Sequence, residues 1–286
     1  MPVPPQPLSD LPSFSPYTFG AMSLGSDFFQ LEKDIKLARQ AMEAGVWFHA
    51  SPTYHRGFCF MALRLAFDQA RHQTPPLIIK IRDHSPTVLR FEIEDTCRRL
   101  GLDSIDIIQL VAMDQGDDNL ARDLAHEGPL AAELHRLREE GLYRQATLFL
   151  TKPQEGYLNK IWPTGLISSV ILYWNAVQRA CADSDWAYIE ENQIPVLALR
   201  TLGGGFTNLP ENLRAEAETL LAESGCTDWA ELNLRLAASV PLLQTTIGGT
   251  GNPAHLNRFL ELQAAPSPLD PTLTNRIITW RENLST

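Results

Sequence analysis

The chain has 286 residues, 44% hydrophobic and 20% charged, the balance of a soluble globular protein with a sizeable core. Its net charge of −10 excludes nucleic acid as a partner class, because polyanion binding rests on Lys and Arg neutralising phosphates. Cys59, Cys97, Cys181 and Cys226 form no CxxC pair, so neither a zinc site nor a disulfide framework is signalled. No apolar stretch approaches the roughly 18 to 20 residues of a membrane span, and the start MPVPPQPLSDLP lacks a basic or apolar run. The expectation is a cytoplasmic protein with no membrane partner.

A Pro-rich arm, residues 1–16, is expected to lie outside the folded unit, and residues 17–286 are read as a single barrel. Tyr17–Met22 reads as a strand, followed by a helix over Phe29–Ala44 with Leu31, Ile35, Ala38 and Met42 on one face and Gly45 as its stop. Val46–Ala50 is the next strand, then a helix near Phe58–Arg71, a strand Leu77–Ile81, a helix Thr87–Leu100 and a strand Ile105–Leu110. Leu130–Glu140 is helical before the strand Gln145–Leu150. Leu166–Leu172 and Pro195–Leu199 are apolar runs separated by the polar segment Cys181–Asn192. Helices Asn212–Glu223 and Trp229–Ala238 lead to a last strand, Leu243–Ile247, with Ala254–Leu262 and Pro271–Asn283 after it. Near-continuous apolar strands alternating with helices indicate a helix-covered parallel sheet. Eight such units in about 250 residues favour α/β closure into a (β/α)8 TIM barrel.

The most informative segment is Val46–Gly57, VWFHASPTYHRG, a buried strand ending in a polar tip with His49, Tyr54, His55 and Arg56. It resembles the segment FDTAxxYG of the aldo-keto reductases. GAMSLG at Gly20–Gly25, CRRLGLDSIDIIQL at Cys97–Leu110 and EEGLYR at Glu139–Arg144 are similar to further segments of that family, in the same order. So are PVLALRTLGGG at Pro195–Gly205 and TTIGGTGNPAHL at Thr245–Leu256. The resemblance implies a barrel with its site at the carboxyl ends of the strands. It also implies a tyrosine that protonates a carbonyl, a lysine–aspartate pair that lowers its pKa, and a histidine that holds the carbonyl oxygen. Carried over residue by residue, Tyr54 matches the tyrosine and Lys80 the lysine, whereas His49 stands at the aspartate position and Val111 at the histidine position. Asp83, Asp106 and Asp114 are candidates for a replacement counter-charge.

The resemblance implies NADP or NAD as cofactor, yet its cradle is altered. Phe149 and Leu150 align with the Ser-Asn pair that holds the nicotinamide amide, Ile171 with the next glutamine, and Leu199 with the stacking aromatic. The loop Gly248–Asn252 carries no cation for a 2′-phosphate, and Arg258 and Phe259 align with the residues that grip adenine. Binding is therefore expected to be weak or absent, with NADH no worse than NADPH. Gly203, Gly204, Gly205 and the amides near Gly249 remain as a phosphate cradle; a plain glycine turn explains them equally well.

Three functions stay open. One is an atypical family member that acts as a divergent oxidoreductase on a small carbonyl or alcohol, with Tyr54 as acid/base. Another is a non-redox lyase, isomerase or epimerase using Tyr54, His49 and Lys80. The third is a non-catalytic relative that binds a metabolite or a protein. A small-molecule ligand or substrate is the expected partner. His49, His55 and His84 lack metal-ligand spacing, so no metal is expected. Trp174, Asn175 and Arg200 are candidates for the pocket wall and equally for packing or a solvated rim.

Overall fold

Side chains of successive strand residues point to opposite faces, and in this chain most strand residues on both faces are buried, apolar and polar alike, so the strands are covered on two sides. A computed structural model describes residues 11–81, 85–111, 120, 123–124, 128–150, 156, 158–202, 209–264 and 267–284. Its strands are β1 (Tyr17–Gly20), β2 (Phe48–Ala50), β3 (Leu77–Ile81), β4 (Ile105–Leu110), β5 (Tyr143–Phe149), β6 (Ser169–Asn175), β7 (Gln178–Arg179), β8 (Val196–Leu199) and β9 (Leu243–Gly249). Parallel pairing runs from β1 through β2, β3, β4, β5, β6 and β8 to β9, and β9 pairs with β1, which closes the ring. The two-residue β7 is an antiparallel hairpin extension of β6 and stands outside the ring.

The helices are α1 (Leu31–Glu43), α2 (Phe58–Gln69), α3 (Pro86–Leu100), α4 (Pro129–Glu139), α5 (Leu158–Ile161), α6 (Asp183–Glu191), α7 (Glu211–Ser224), α8 (Trp229–Ala238), α9 (Pro253–Ala264) and α10 (Pro271–Asn283). Local chemistry sets their ends. Pro86 opens α3 and the left-handed Gly101 closes it. Asp228 and Asp270 cap α8 and α10 by accepting from the backbone N–H groups of Glu231 and Thr272 at 2.8 Å.

Alternation divides the apolar residues into two cores. Leu77, Ile79 and Ile81 of β3 join the large layer between strands and helices. Ile78 points into the barrel and meets Trp47, Ile107, Ile171, Leu197 and Ile247. Residues 11–16 differ from the expectation for the arm: Leu11 is buried against this inner cluster, and Phe14 stacks on Trp47 with ring centroids 4.4 Å apart. Trp47 Nε1 donates to Ser13 O at 3.1 Å, and the Trp47 backbone N–H donates to Ser15 Oγ at 3.0 Å. These contacts plug the amino-terminal mouth of the barrel.

Three expectations from the sequence are corrected. β6 begins at Ser169, not Leu166, and continues through Tyr173–Asn175; Leu166 and Ile167 are buried but precede the strand. The polar segment Cys181–Asn192 contains α6, whose buried residues Asp185, Trp186 and Ile189 are too few to mark a helical stripe by pattern. Asp106 serves the amino-terminal end of the sheet, accepting from the Leu77 backbone N–H at 2.9 Å with Arg144 3.6 Å away. It supplies no counter-charge at the opposite end. Asp83 and Asp114 lie outside the described residues. No helix among the described residues is long and apolar enough to cross a membrane.

The plug should be central to stability. Trp47→Ala removes a fully buried ring and its stacking partner, and is expected to cost about 3–5 kcal/mol. Urea denaturation measures it; a loss below about 1 kcal/mol would show that the amino-terminal mouth closes without the tryptophan.

Candidate active site

Strand register assembles the site. Gly20 pairs with His49, His49 with Ile78, and Lys80 with Gln109, so the inward-facing ends of β1 to β4 form one layer above Ile78 and Ile107. Above it opens a cavity of about 470 Å³ at the carboxyl ends of the strands. Met22, His49, Tyr54, Lys80 and Gln109 line one part, and Phe149, Tyr173, Leu199, Arg200 and Gly249 another. The sequence candidates His49, Tyr54, Lys80 and Gly249 thus meet. Gly203, Gly204, Gly205 and His84 lie outside the described residues.

His49 is buried, with its ring Nε2 2.6 Å from Gln109 Oε1. With the Gln109 carbonyl oxygen facing the ring, Nε2–H donates and Nδ1 is left as the acceptor. Burial pushes the imidazole pKa down from 6.5 to about 4; the Gln109 bond opposes this and the charge of Lys80 reinforces it. The ring is neutral near pH 7. Gln109 was not singled out in the sequence. Its one signal is an amide two residues after Ile107, in a strand whose other polar residue is Asp106.

Tyr54 sits on a strained turn. His55, Arg56 and Gly57 have φ of 48°, 57° and 91°, and left-handed backbone costs a non-glycine residue about 1–2 kcal/mol. The turn is held by a 2.6 Å hydrogen bond between His55 Nε2 and Met22 O, and by Arg99 Nη2 donating to Gly57 O at 3.3 Å. This geometry places Tyr54 with its ring centroid 6.4 Å from that of His49. Burial pushes the phenol pKa up to about 12, with Cys59 and Tyr173 adding to the effect. The phenol is protonated at neutral pH.

An aromatic wall stands opposite. Phe149 packs edge-on to Tyr173 at 5.3 Å, and the Arg200 guanidinium lies 3.9 Å over the Tyr173 ring. Tyr173 lies one residue past the apolar run Leu166–Leu172, so the run alone does not mark it as a strand residue. Of the three candidate wall residues, only Arg200 borders the cavity. Trp174 faces the outer core beneath Arg281, and Asn175 is buried, donating from Nδ2 to Arg200 O at 3.0 Å. Val111 and Leu150 are buried and Ile171 belongs to the inner core. Gly249 pairs with Gly20, and a Cβ at Gly249 would approach Gly20 O to 2.8 Å, so strand packing alone requires glycine there.

A sequence model of the Aldo/keto reductase family matches residues 17–277. Among solved structures, the holo form of the aldo-keto reductase AKR11C1 from Bacillus halodurans is 22% identical, with 93% of this chain and 91% of that one covered at a TM-score of 0.73. An aldo/keto reductase from Klebsiella pneumoniae in complex with NADP and acetate is 14% identical, with 98% and 96% covered at a TM-score of 0.76. No curated protein matches the chain.

The His49 shift has a pH signature. Its folded pKa lies below its ordinary value of 6.5, so the unfolded state binds the extra proton first. Stability from the neutral ring is complete above pH 6.5 and falls as pH drops toward about 4. Relative to His49→Asn, the native chain is expected to lose about 2 kcal/mol more between about pH 7.5 and pH 5, read from urea midpoints. Equal losses in the two proteins would show that the ring protonates freely in the fold.

Proposed function

The chain belongs to the aldo/keto reductase family, and on that premise we propose that it is a divergent oxidoreductase acting on the carbonyl of a small molecule or the corresponding alcohol, with Tyr54 as acid–base group. The observation that carries this reading is the meeting of a protonated Tyr54 with Lys80 and His49 in one cavity. His49 at the position where the family carries an aspartate is what makes the member divergent.

The described residues fit a nicotinamide dinucleotide better at its phosphate end than at its ring. Ser23 Oγ is buried without a hydrogen-bond partner among the described residues, and a Cβ on Gly251 would lie 3.8 Å from it. A phosphate oxygen would satisfy such an orphaned hydroxyl. At the other end, Phe149, Ile171 and Leu199 offer no side-chain hydrogen bond to a carboxamide. Arg258 is engaged, donating to Glu231 Oε2 at 2.7 Å, and so is not released for a 2′-phosphate. Weak binding without preference for NADPH follows.

When bound, the dinucleotide would supply the hydride. Tyr54 would give its phenolic proton to the oxygen of the reacting carbonyl, a favourable transfer because an alkoxide is a stronger base than a phenolate, and would recover the proton from water. Lys80 supplies positive charge to that developing oxyanion. His49 holds the floor through Gln109. The alternative in which His49 removes a proton from carbon is disfavoured, since an imidazole with a pKa of about 4 is a weak base at neutral pH.

Calorimetric titration is expected to give NADH and NADPH affinities within a few-fold of each other, both at about 10 μM or weaker. A submicromolar NADPH affinity with strong preference over NADH would overturn the account of the cradle. Tyr54→Phe is expected to lower carbonyl reduction by about 10²-fold or more with dinucleotide affinity unchanged. An unchanged rate would move the chemistry away from this tyrosine.

A further inference from the structure

Arg200 follows the last residue of β8, borders the cavity and has a left-handed φ of 57°. A non-glycine residue persists in that conformation only where its surroundings impose it. Here they do. The backbone oxygen of Arg200 accepts from Asn175 Nδ2 at 3.0 Å, and Thr201 Oγ1 ties the next residue to Ala198 O at 3.1 Å. Asn175 is buried and is fixed in turn: its Oδ1 accepts from the Val177 backbone N–H at 2.9 Å, and its backbone oxygen accepts from Arg281 Nη1 at 3.3 Å. The guanidinium carbon lies 3.9 Å from the centroid of the Tyr173 ring.

A guanidinium held over an aromatic ring by its charge keeps a planar fork of N–H donors for an acceptor beside the ring. Among the described residues Arg200 forms no ion pair. Among those that line the cavity, the charged ones are Lys80 and Arg200, with no Asp or Glu. In a chain of net charge −10, the Arg200 guanidinium at the cavity wall gives an anion a local attraction that most of the surface withholds. The neighbouring wall of Phe149, Tyr173, Leu199 and Leu202 favours an apolar body on the same ligand.

We propose that the substrate of this site is a carbonyl compound bearing a carboxylate, with Arg200 as the residue that binds the carboxylate and Asn175 as the residue that positions Arg200. The inference rests on the oxidoreductase reading for its carbonyl and on the cavity alone for its charge. The guanidinium fork suits the two oxygens of a carboxylate, and the aromatic wall beside it suits the hydrocarbon that joins carboxylate to carbonyl.

Equilibrium binding tests this without turnover or dinucleotide. The probes are benzoylformate and 4-carboxybenzaldehyde, which separate carbonyl from carboxylate by different spans, each compared with its methyl ester. At least one acid is expected to bind about tenfold or more tightly than its ester, a discrimination typical of a charge-assisted hydrogen bond. Arg200→Gln should bring acid and ester to parity by weakening only the acid, and Arg200→Lys should keep part of the difference. Parity of acids and esters in the native chain, or no measurable binding of either acid, would overturn the proposal. So would an Arg200→Gln variant that weakens inorganic pyrophosphate but leaves the acid-to-ester ratio unchanged, because the arginine would then serve a phosphate of the dinucleotide. Failure of nicotinamide binding would instead remove the redox reading and leave the anion site standing.

Discussion

A single buried hydrogen bond, His49 Nε2 to Gln109 Oε1 at 2.6 Å, ties β2 to β4 across the inside of the barrel and fixes the floor of the cavity. Breaking it would leave two polar groups orphaned at 4% and 2% exposure, a penalty of about 1–3 kcal/mol for each. The bond also fixes the chemistry above it. Burial keeps the imidazole neutral, so the residue beside Lys80 contributes no negative charge, and burial likewise keeps the Tyr54 phenol protonated. On the proposed reading, proton transfer is carried by a neutral phenol and charge by two cations, which explains both the acid–base role of Tyr54 and the preference for an anionic ligand.

Strain is concentrated around this floor. Of the four described non-glycine residues with left-handed backbone, His55 and Arg56 follow the cavity residue Tyr54 and Arg200 lines the cavity, whereas Gln193 lies apart in the turn before β8. Hydrogen bonds hold these segments: Met22 and Arg99 on one side, Asn175, itself bonded by Arg281, on the other. The two apolar layers and the Trp47 plug provide the stability that offsets these local costs. Position is therefore specified away from the reacting groups, and the reacting groups are left free to carry unfavourable environments.

What the sequence revealed follows from what is local. The bounds of β3 and β4 agree with their short isoleucine- and leucine-rich runs, and those of α8 and α10 with apolar stripes that begin after Asp228 and Asp270. β6 was drawn three residues early, since Leu166 and Ile167 are as apolar as a strand yet lie in the preceding loop. The arm at residues 11–16 has no periodicity to betray its packing. Within the cavity, Tyr54, Lys80 and His49 were legible through resemblance to a family segment. Gln109 and Tyr173 were not, because a contact between strands depends on register, which no single strand states. Gly249 was legible as a glycine, but its close approach to Gly20 is a property of two strands together.

The central claim is that Tyr54 works as a full phenol, with burial outweighing any help from the nearby lysine. The most direct test is a pH titration of the tyrosine Cζ resonances in protein labelled with ¹³C-tyrosine, with Tyr54→Phe used to assign the Tyr54 signal. The account predicts that the Tyr54 resonance keeps its phenol shift through pH 10, consistent with a pKa near 12. A phenolate forming below about pH 9, under the ordinary tyrosine value, would contradict it and would show that Lys80 governs the site.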